Sequence, residues 1–234
     1  QRNAGALVKN VKTARDARVT RYLSAQAVDY MYATIDQLSA TTPAKRKAKA
    51  RDCFLLTSYI TTGARLSELT GAKMGSMYTE GDGRWWLDVL GKGSKPRRLP
   101  VAPAMLAAFR DYRMAFGLSA YAQRDESTPL VLSTRGRRFV SITDEAASNA
   151  MKSLFAGAGA MAEADGDMAS ASTLRQASTH WLRHTMLTTH ANNDVSLKTL
   201  QDTAGHANIS TTATYLHKSD KERHDELIES LTSN

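Results

Sequence analysis

The chain has 234 residues, 42% of them hydrophobic, with a formal net charge of +8 and a single cysteine, Cys53. That is enough apolar material for a sizeable core, and the positive balance favours a polyanionic partner over an acidic small molecule. One cysteine excludes an intrachain disulfide or a cysteine-rich metal cluster. No stretch approaches the roughly 18 apolar residues of a membrane span and no signal peptide is visible, so a reducing cytoplasm is expected.

Residues 1–22 read as a basic connector, with Lys9, Lys12, Arg15, Arg18 and Arg21 and little apolar periodicity. The chain opens without Met, on Gln1-Arg2-Asn3, and is expected to be a piece of a longer protein, with residues 23–234 as one domain. Ser24 caps a predicted helix carrying Val28, Met31, Ile35 and Leu38, and Thr41-Thr42-Pro43 breaks it. A second helix begins in the cluster Lys45, Arg46, Lys47, Lys49 and Arg51 and turns apolar through Phe54, Leu55, Leu56, Tyr59 and Ile60. Its basic start reads either as a solvated helix end or as a contact to backbone phosphates. Gly63 then permits a sharp turn, Arg65 leads into a short helix, and Glu68 lies one turn on, within ion-pairing reach.

One β region follows. Residues 85–90 and 97–101 flank Gly91-Lys92-Gly93-Ser94-Lys95-Pro96, a hairpin whose tip presents Lys92 between two glycines, with a partner strand near residues 74–78. Pro103 opens a helix through Phe109, Tyr112 and Phe116. A polar loop, the run Pro129-Leu130-Val131-Leu132 and the basic turn Thr134-Arg135-Gly136-Arg137-Arg138 come next. Thr143 caps a helix with Ala147, Met151, Leu154 and Phe155. Residues 157–173, rich in Ala, Gly, Ser and Asp, read as a flexible loop. Residues 221–231 form a last amphipathic helix with Leu227, Ile228 and Leu231. Helices, a small antiparallel sheet, then helices make the class α+β, mostly α-helical.

Residues 180–215 carry the chemistry. His180 and Arg183 are three apart and share a helix face, while Leu182, Met186 and Leu187 hold that helix to a core. Gly205 fits a helix C-terminus with positive φ and would turn His206 back toward the same place. Ser210-Thr211-Thr212 reads as the N-cap of a short helix bearing Tyr215. A basic, histidine-containing pocket beside a tyrosine hydroxyl points to attack on phosphorus. His184 reads as structural, His190 and His217 as surface residues. Tyr59, Tyr78 and Tyr112 read as core or surface rather than nucleophile, and Trp85 and Trp86 as anchors of the sheet.

From about residue 20 onward the chain resembles the catalytic domain of the tyrosine recombinases, the lambda-integrase-like family. The likeness rests on Gly63-Ala64-Arg65-Leu66-Ser67-Glu68-Leu69, Gly91-Lys92-Gly93, His180-x-x-Arg183-His184-Thr185, Gly205-His206 and Tyr215, in the family's order. Thr203-Ala204-Gly205-His206 has Ala where the family usually has Leu. The resemblance implies a site-specific recombinase in which Tyr215 attacks a DNA phosphodiester, giving a 3′-phosphotyrosine and a free 5′-hydroxyl, with no metal or other cofactor. A phenol with a pKa near 10 is ionised in roughly one molecule in a thousand at neutral pH, so it needs help. By the resemblance His180 is the base, Arg65 and Arg183 clamp the non-bridging oxygens, and His206 donates to the same oxygens. Lys92 protonates the leaving 5′-oxygen, and Glu68 orients Arg65 or His180.

Candidate DNA contacts are Lys45, Arg46, Lys47, Lys95, Arg135, Arg137 and Arg138. The implied partner is double-stranded DNA at a specific site, held by a tetramer of protomers whose C-terminal helix docks on a neighbour. The connector would lead in from an N-terminal DNA-clamping domain. Two alternatives stay open: a type IB topoisomerase with the same chemistry, and a non-catalytic DNA-binding member of the fold.

Overall fold

The computed structural model describes residues 21–91, 93–136 and 139–205, together with Thr212 and Ile228. Eight α-helices, three strands and one 3-10 turn (Met74–Ser76) are described: α1 (Ala25–Gln37), α2 (Pro43–Thr62), α3 (Leu66–Gly71), β1 (Met77–Thr79), β2 (Trp85–Leu90), β3 (Pro96–Pro100), α4 (Pro103–Ala115), α5 (Asp144–Ala164), α6 (Met168–Gln176), α7 (Thr179–Asn192) and α8 (Leu197–Ala204). The expected α+β class, mostly α-helical with a small antiparallel sheet, is what forms.

Local signals set the boundaries. The Ser24, Thr42 and Thr143 side chains each accept a hydrogen bond from the backbone N–H three residues on, satisfying one orphan donor at the starts of α1, α2 and α5. Pro43 and Pro103 occupy first-turn positions, where a missing N–H costs nothing. The sheet runs β1-β2-β3, with Leu87 opposite both Met77 and Leu99 and all three buried.

The main core runs from α1 through the sheet to the start of α7, and its aromatic centre lies between α2 and α4. Phe54 stacks on Tyr112 with ring centroids 5.2 Å apart and planes 3° from parallel, and Phe109 and Phe116 complete the cluster. The Tyr112 hydroxyl accepts the Leu132 N–H at 2.8 Å, so a buried phenol fixes the run after Pro129. Arg113 is also fully buried, its guanidinium donating to both Glu126 carboxylate oxygens at 2.9 and 3.0 Å and to the Ser119 carbonyl at 2.7 Å. A second, smaller cluster of Met186, Leu187, Ala191, Leu200 and Ala204 joins α7 to α8.

The expected loop at residues 157–173 is instead helical: α5 continues to Ala164, and α6 begins at Met168 after a short turn. The small residues that read as low complexity are a close-packing face. Ala158 and Ala162 are fully buried, and a Cβ on Gly157 would stand 2.7 Å from Thr34 Cγ2 of α1. Gly159 faces α6, where a Cβ would already be in van der Waals contact, 3.5 Å from the Ala171 carbonyl oxygen and 3.6 Å from Leu174 Cβ. Small side chains let three helices approach; they do not loosen the chain.

Candidate active site

Arg65, His180 and Arg183 line one cavity of about 210 Å³, with Tyr59, Ala64, Leu66, Ser67, Asp144 and Thr179. Two turns bring them there. Gly63 ends α2 in the left-handed conformation, φ 58°, and delivers Arg65 as the N-cap of α3. Ser178 precedes α7, whose first turn presents His180 and Arg183 on one face while Leu182, Met186 and Leu187 are buried. Leu23, just before α1, donates its N–H to Thr185 Oγ1 at 2.8 Å and ties the start of the fold to the same helix.

The end of α8 organises the arginines. Gly205 closes that helix with φ 61°. The carbonyls of a helix's last turn lack intrahelical partners and carry the negative end of its dipole, so cations belong there. Arg183 donates to the Ala204 carbonyl and, at 2.5 Å, to the Gly63 carbonyl. Arg97 donates to the Thr203 carbonyl, and Arg65 reaches the Gly205 carbonyl at 3.4 Å. Three guanidinium groups from α3, β3 and α7 thus converge on one helix terminus.

Glu68 joins them. Its side chain is 1% exposed, so the Arg65–Glu68 contact is no surface ion pair. Oε1 accepts from Arg65 Nη1 at 2.8 Å and Arg97 Nε at 3.2 Å; Oε2 accepts from the Arg65 backbone N–H at 2.6 Å and Arg97 Nη2 at 2.5 Å. Burial pushes this carboxyl up, but the bonds from Arg97 and Arg65 outweigh it and hold it below the usual carboxylate range. His184, half-buried behind the pair, is lowered by burial first and then by the charges of His180 and Arg183. It shares α7 with the site residues without lining the cavity.

Other expectations resolve residue by residue. Tyr59 is buried at the cavity wall, and burial raises its hydroxyl far above the ordinary phenol value, which disqualifies it as a ready nucleophile. Trp85 stacks on Tyr121 and Trp86 lies under Arg98, so both brace the sheet. Lys45 and Arg46 are exposed at the start of α2, about 25 Å along the helix axis from Gly63 at ~1.5 Å per residue, so that cluster is not brought to the cavity. Lys47 sits over the Phe116 ring at 5.2 Å. Arg51, read with that solvated cluster, is buried and paired with Asp52 at 2.8 Å. Lys95 and Arg135 are exposed. Lys92, Arg137, Arg138, His206, Tyr215, the connector through residue 20 and the last helix apart from Ile228 lie outside the described residues; Thr212, in the expected cap before Tyr215, is helical and buried. The residue that sequence reasoning missed is Arg97.

The fold is that of the tyrosine-recombinase catalytic domain. The chain belongs to the phage integrase family, whose model matches residues 21–222. It is 33% identical over 170 residues to the tyrosine recombinase XerC of Escherichia coli O127:H6, covering 71% of this chain and 48% of that protein. It is 29% identical over 188 residues to XerC of Pelobacter propionicus, covering 79% and 54%. The chain spans about half the length of the curated relatives it matches. Among solved structures, the XerH site-specific recombinase bound to its difH substrate in a pre-cleavage complex superposes with a TM-score of 0.67 at 19% identity, over 92% of this chain and 55% of that one. The Tn1549 transposon integrase in complex with circular intermediate DNA gives 0.59 at 19% identity, over 92% and 68%. At such identities these superpositions establish the fold. Among the described residues no helix is long and apolar enough to cross a membrane.

Proposed function

We propose that this chain is the catalytic part of a site-specific DNA recombinase that cuts and rejoins DNA through a 3′-phosphotyrosine on Tyr215. The observation that carries the reading is the shared cavity: Arg65, His180 and Arg183, from two separate elements, face one space of about 210 Å³, room for a phosphate group. Both arginines are already held by carbonyls and, for Arg65, by a carboxylate, so their geometry is preset before a ligand arrives.

In the proposed reaction the non-bridging oxygens of the scissile phosphate accept hydrogen bonds from Arg65 and Arg183. His180 takes the phenolic proton as Tyr215 attacks phosphorus, and Lys92 gives a proton to the departing 5′-oxygen. His206, one residue beyond the α8 turn, would donate to the same oxygens. The phosphotyrosine keeps the energy of the broken backbone bond, and the 5′-hydroxyl of a partner strand attacks it in the reverse sense to reseal. The partner is double-stranded DNA at a specific site, in the bacterial cytoplasm or nucleoid. Exchange takes four protomers on two duplexes, with the C-terminal helix docking on a neighbour and residues 1–22 linking to an N-terminal DNA-clamping domain. Lys45, Arg46, Lys47, Lys95, Arg135, Arg137 and Arg138 track the backbone in this reading.

The test uses nicked duplexes from DNA flanking the gene, which trap cleavage products. A denaturation-resistant adduct at a discrete site, mapped to Tyr215 by mass spectrometry, is expected. Tyr215→Phe should still bind the duplex but form no adduct; normal adduct formation by that variant would refute the nucleophile. A Tyr215 adduct scattered over many sites would instead indicate a topoisomerase, and tight binding with no adduct a non-catalytic member.

A further inference from the structure

Glu68 has more partners than the orienting of one arginine requires. Arg97 donates to both of its oxygens and, with the same guanidinium, to the Thr203 carbonyl at the end of α8. Its side chain is 10% exposed, packed so closely that a Cβ on residue 205 would stand 3.1 Å from Arg97 Cδ. Arg97 is the second residue of β3, just beyond the Lys92 hairpin and opposite the buried Val89. One planar fork therefore joins the hairpin, α3 and the turn leading to His206, a geometry lysine cannot reproduce.

The charges give this junction a consequence. Without Arg97, the Glu68 carboxylate, 2.8 Å from Arg65, would offset the charge Arg65 brings to a phosphate. With Arg97 present the carboxylate is already neutralised. We propose that Arg97 is a positioning residue for strand cleavage: it satisfies Glu68 and locks it to the end of α8, leaving the Arg65 charge available to the scissile phosphate. This rests on the strand-cleavage reading above.

The test compares the full-length recombinase with its Arg97→Gln, Arg97→Lys, Glu68→Gln and Arg97→Gln/Glu68→Gln variants on the nicked duplexes. Thermal unfolding, Kd for an uncut duplex and the adduct-forming rate at saturating DNA are measured for each. Arg97→Gln should bind within about threefold of the parent but form adduct about 10–100-fold more slowly, less than the ~10²–10³ typical of losing a direct oxyanion donor. Arg97→Lys should fall between the two. The double variant should cleave faster than Arg97→Gln alone, because removing the carboxylate charge frees Arg65; a merely structural role predicts a slower or equal double variant. Such an outcome, or parental rates for Arg97→Gln, overturns the proposal. Should Arg97→Gln fail to fold, Arg97→Lys decides: a slowdown of threefold or more at saturating DNA with unchanged Kd supports the proposal, and a parental rate overturns it. A parent that forms no adduct overturns the strand-cleavage reading itself, and this inference with it.

Discussion

Replacing Glu68 by Ala tests whether the buried charge cluster holds the domain together. The carboxylate removed is 1% exposed and serves two arginines of very different exposure, 32% for Arg65 and 10% for Arg97. Arg65 can turn toward water, so its loss is small. Arg97 cannot, and it keeps the Thr203 carbonyl while losing an anion at 2.5 Å. Breaking a buried pair from one side costs about 3–5 kcal/mol, and the Arg65 backbone N–H at the start of α3 loses its acceptor too. Glu68→Ala should therefore lose about 3–5 kcal/mol. Glu68→Gln, which keeps a carbonyl for that N–H, should lose about 1–3 kcal/mol. Urea unfolding followed by the fluorescence of Trp85, Trp86 and Trp181 measures both. A loss below about 1 kcal/mol for Glu68→Ala would mean that water reaches Arg97 and would refute a structural role for the buried cluster.

Further expectations follow from packing and titration. Phe54→Ala removes a fully buried ring stacked on Tyr112 and should cost about 3–5 kcal/mol in the same unfolding experiment. Gly159→Leu forces a side chain between α5 and α6 and should cost about 1–3 kcal/mol; a neutral result would refute the close-packing account of residues 157–173. His184 has a folded pKa below its ordinary 6.5. A lowered folded value contributes stability fully above that point, lost as the pH falls through the folded value. Stability should therefore decline from about pH 6.5 downward, and His184→Gln should flatten that limb in unfolding curves taken between pH 5 and 8. Glu68 adds a second loss at lower pH, beginning near its ordinary 4.5, by the same sign.

What was legible in the chain was local. Ser24, Thr42 and Thr143 announce their helices because a cap acts within four residues, and the glycines around Lys92 announce a hairpin for the same reason. Arg65, His180 and Arg183 were legible as a set through spacing and resemblance, although nothing in the sequence states how they meet. What escaped was tertiary. The Ala- and Gly-rich stretch was misread because small side chains signal either a loop or a tight helix contact, and only the partner helices decide between them. Arg97 escaped among exposed hairpin residues, yet a signal existed: it is two residues from Leu99, so strand alternation puts both on the same, buried face. An arginine on the inward face of a strand asks for a carboxylate. Arg51 makes the same point in α2, where a basic run hides one member that pairs inward with Asp52.

The helix that gathers the arginines is fastened by the smaller apolar cluster, five buried residues with Val195, rather than by the main core. Elements with few buried contacts open at free energies well below that of global unfolding. Amide exchange should therefore report α8 releasing before α2 and α4. Each such opening withdraws the Thr203, Ala204 and Gly205 carbonyls and scatters three cations that had been focused on one point. A copy opened only at α8 would thus keep the main core and most of its shape while Arg65, Arg97 and Arg183 no longer converge, so the cavity's charge focus is lost before the fold.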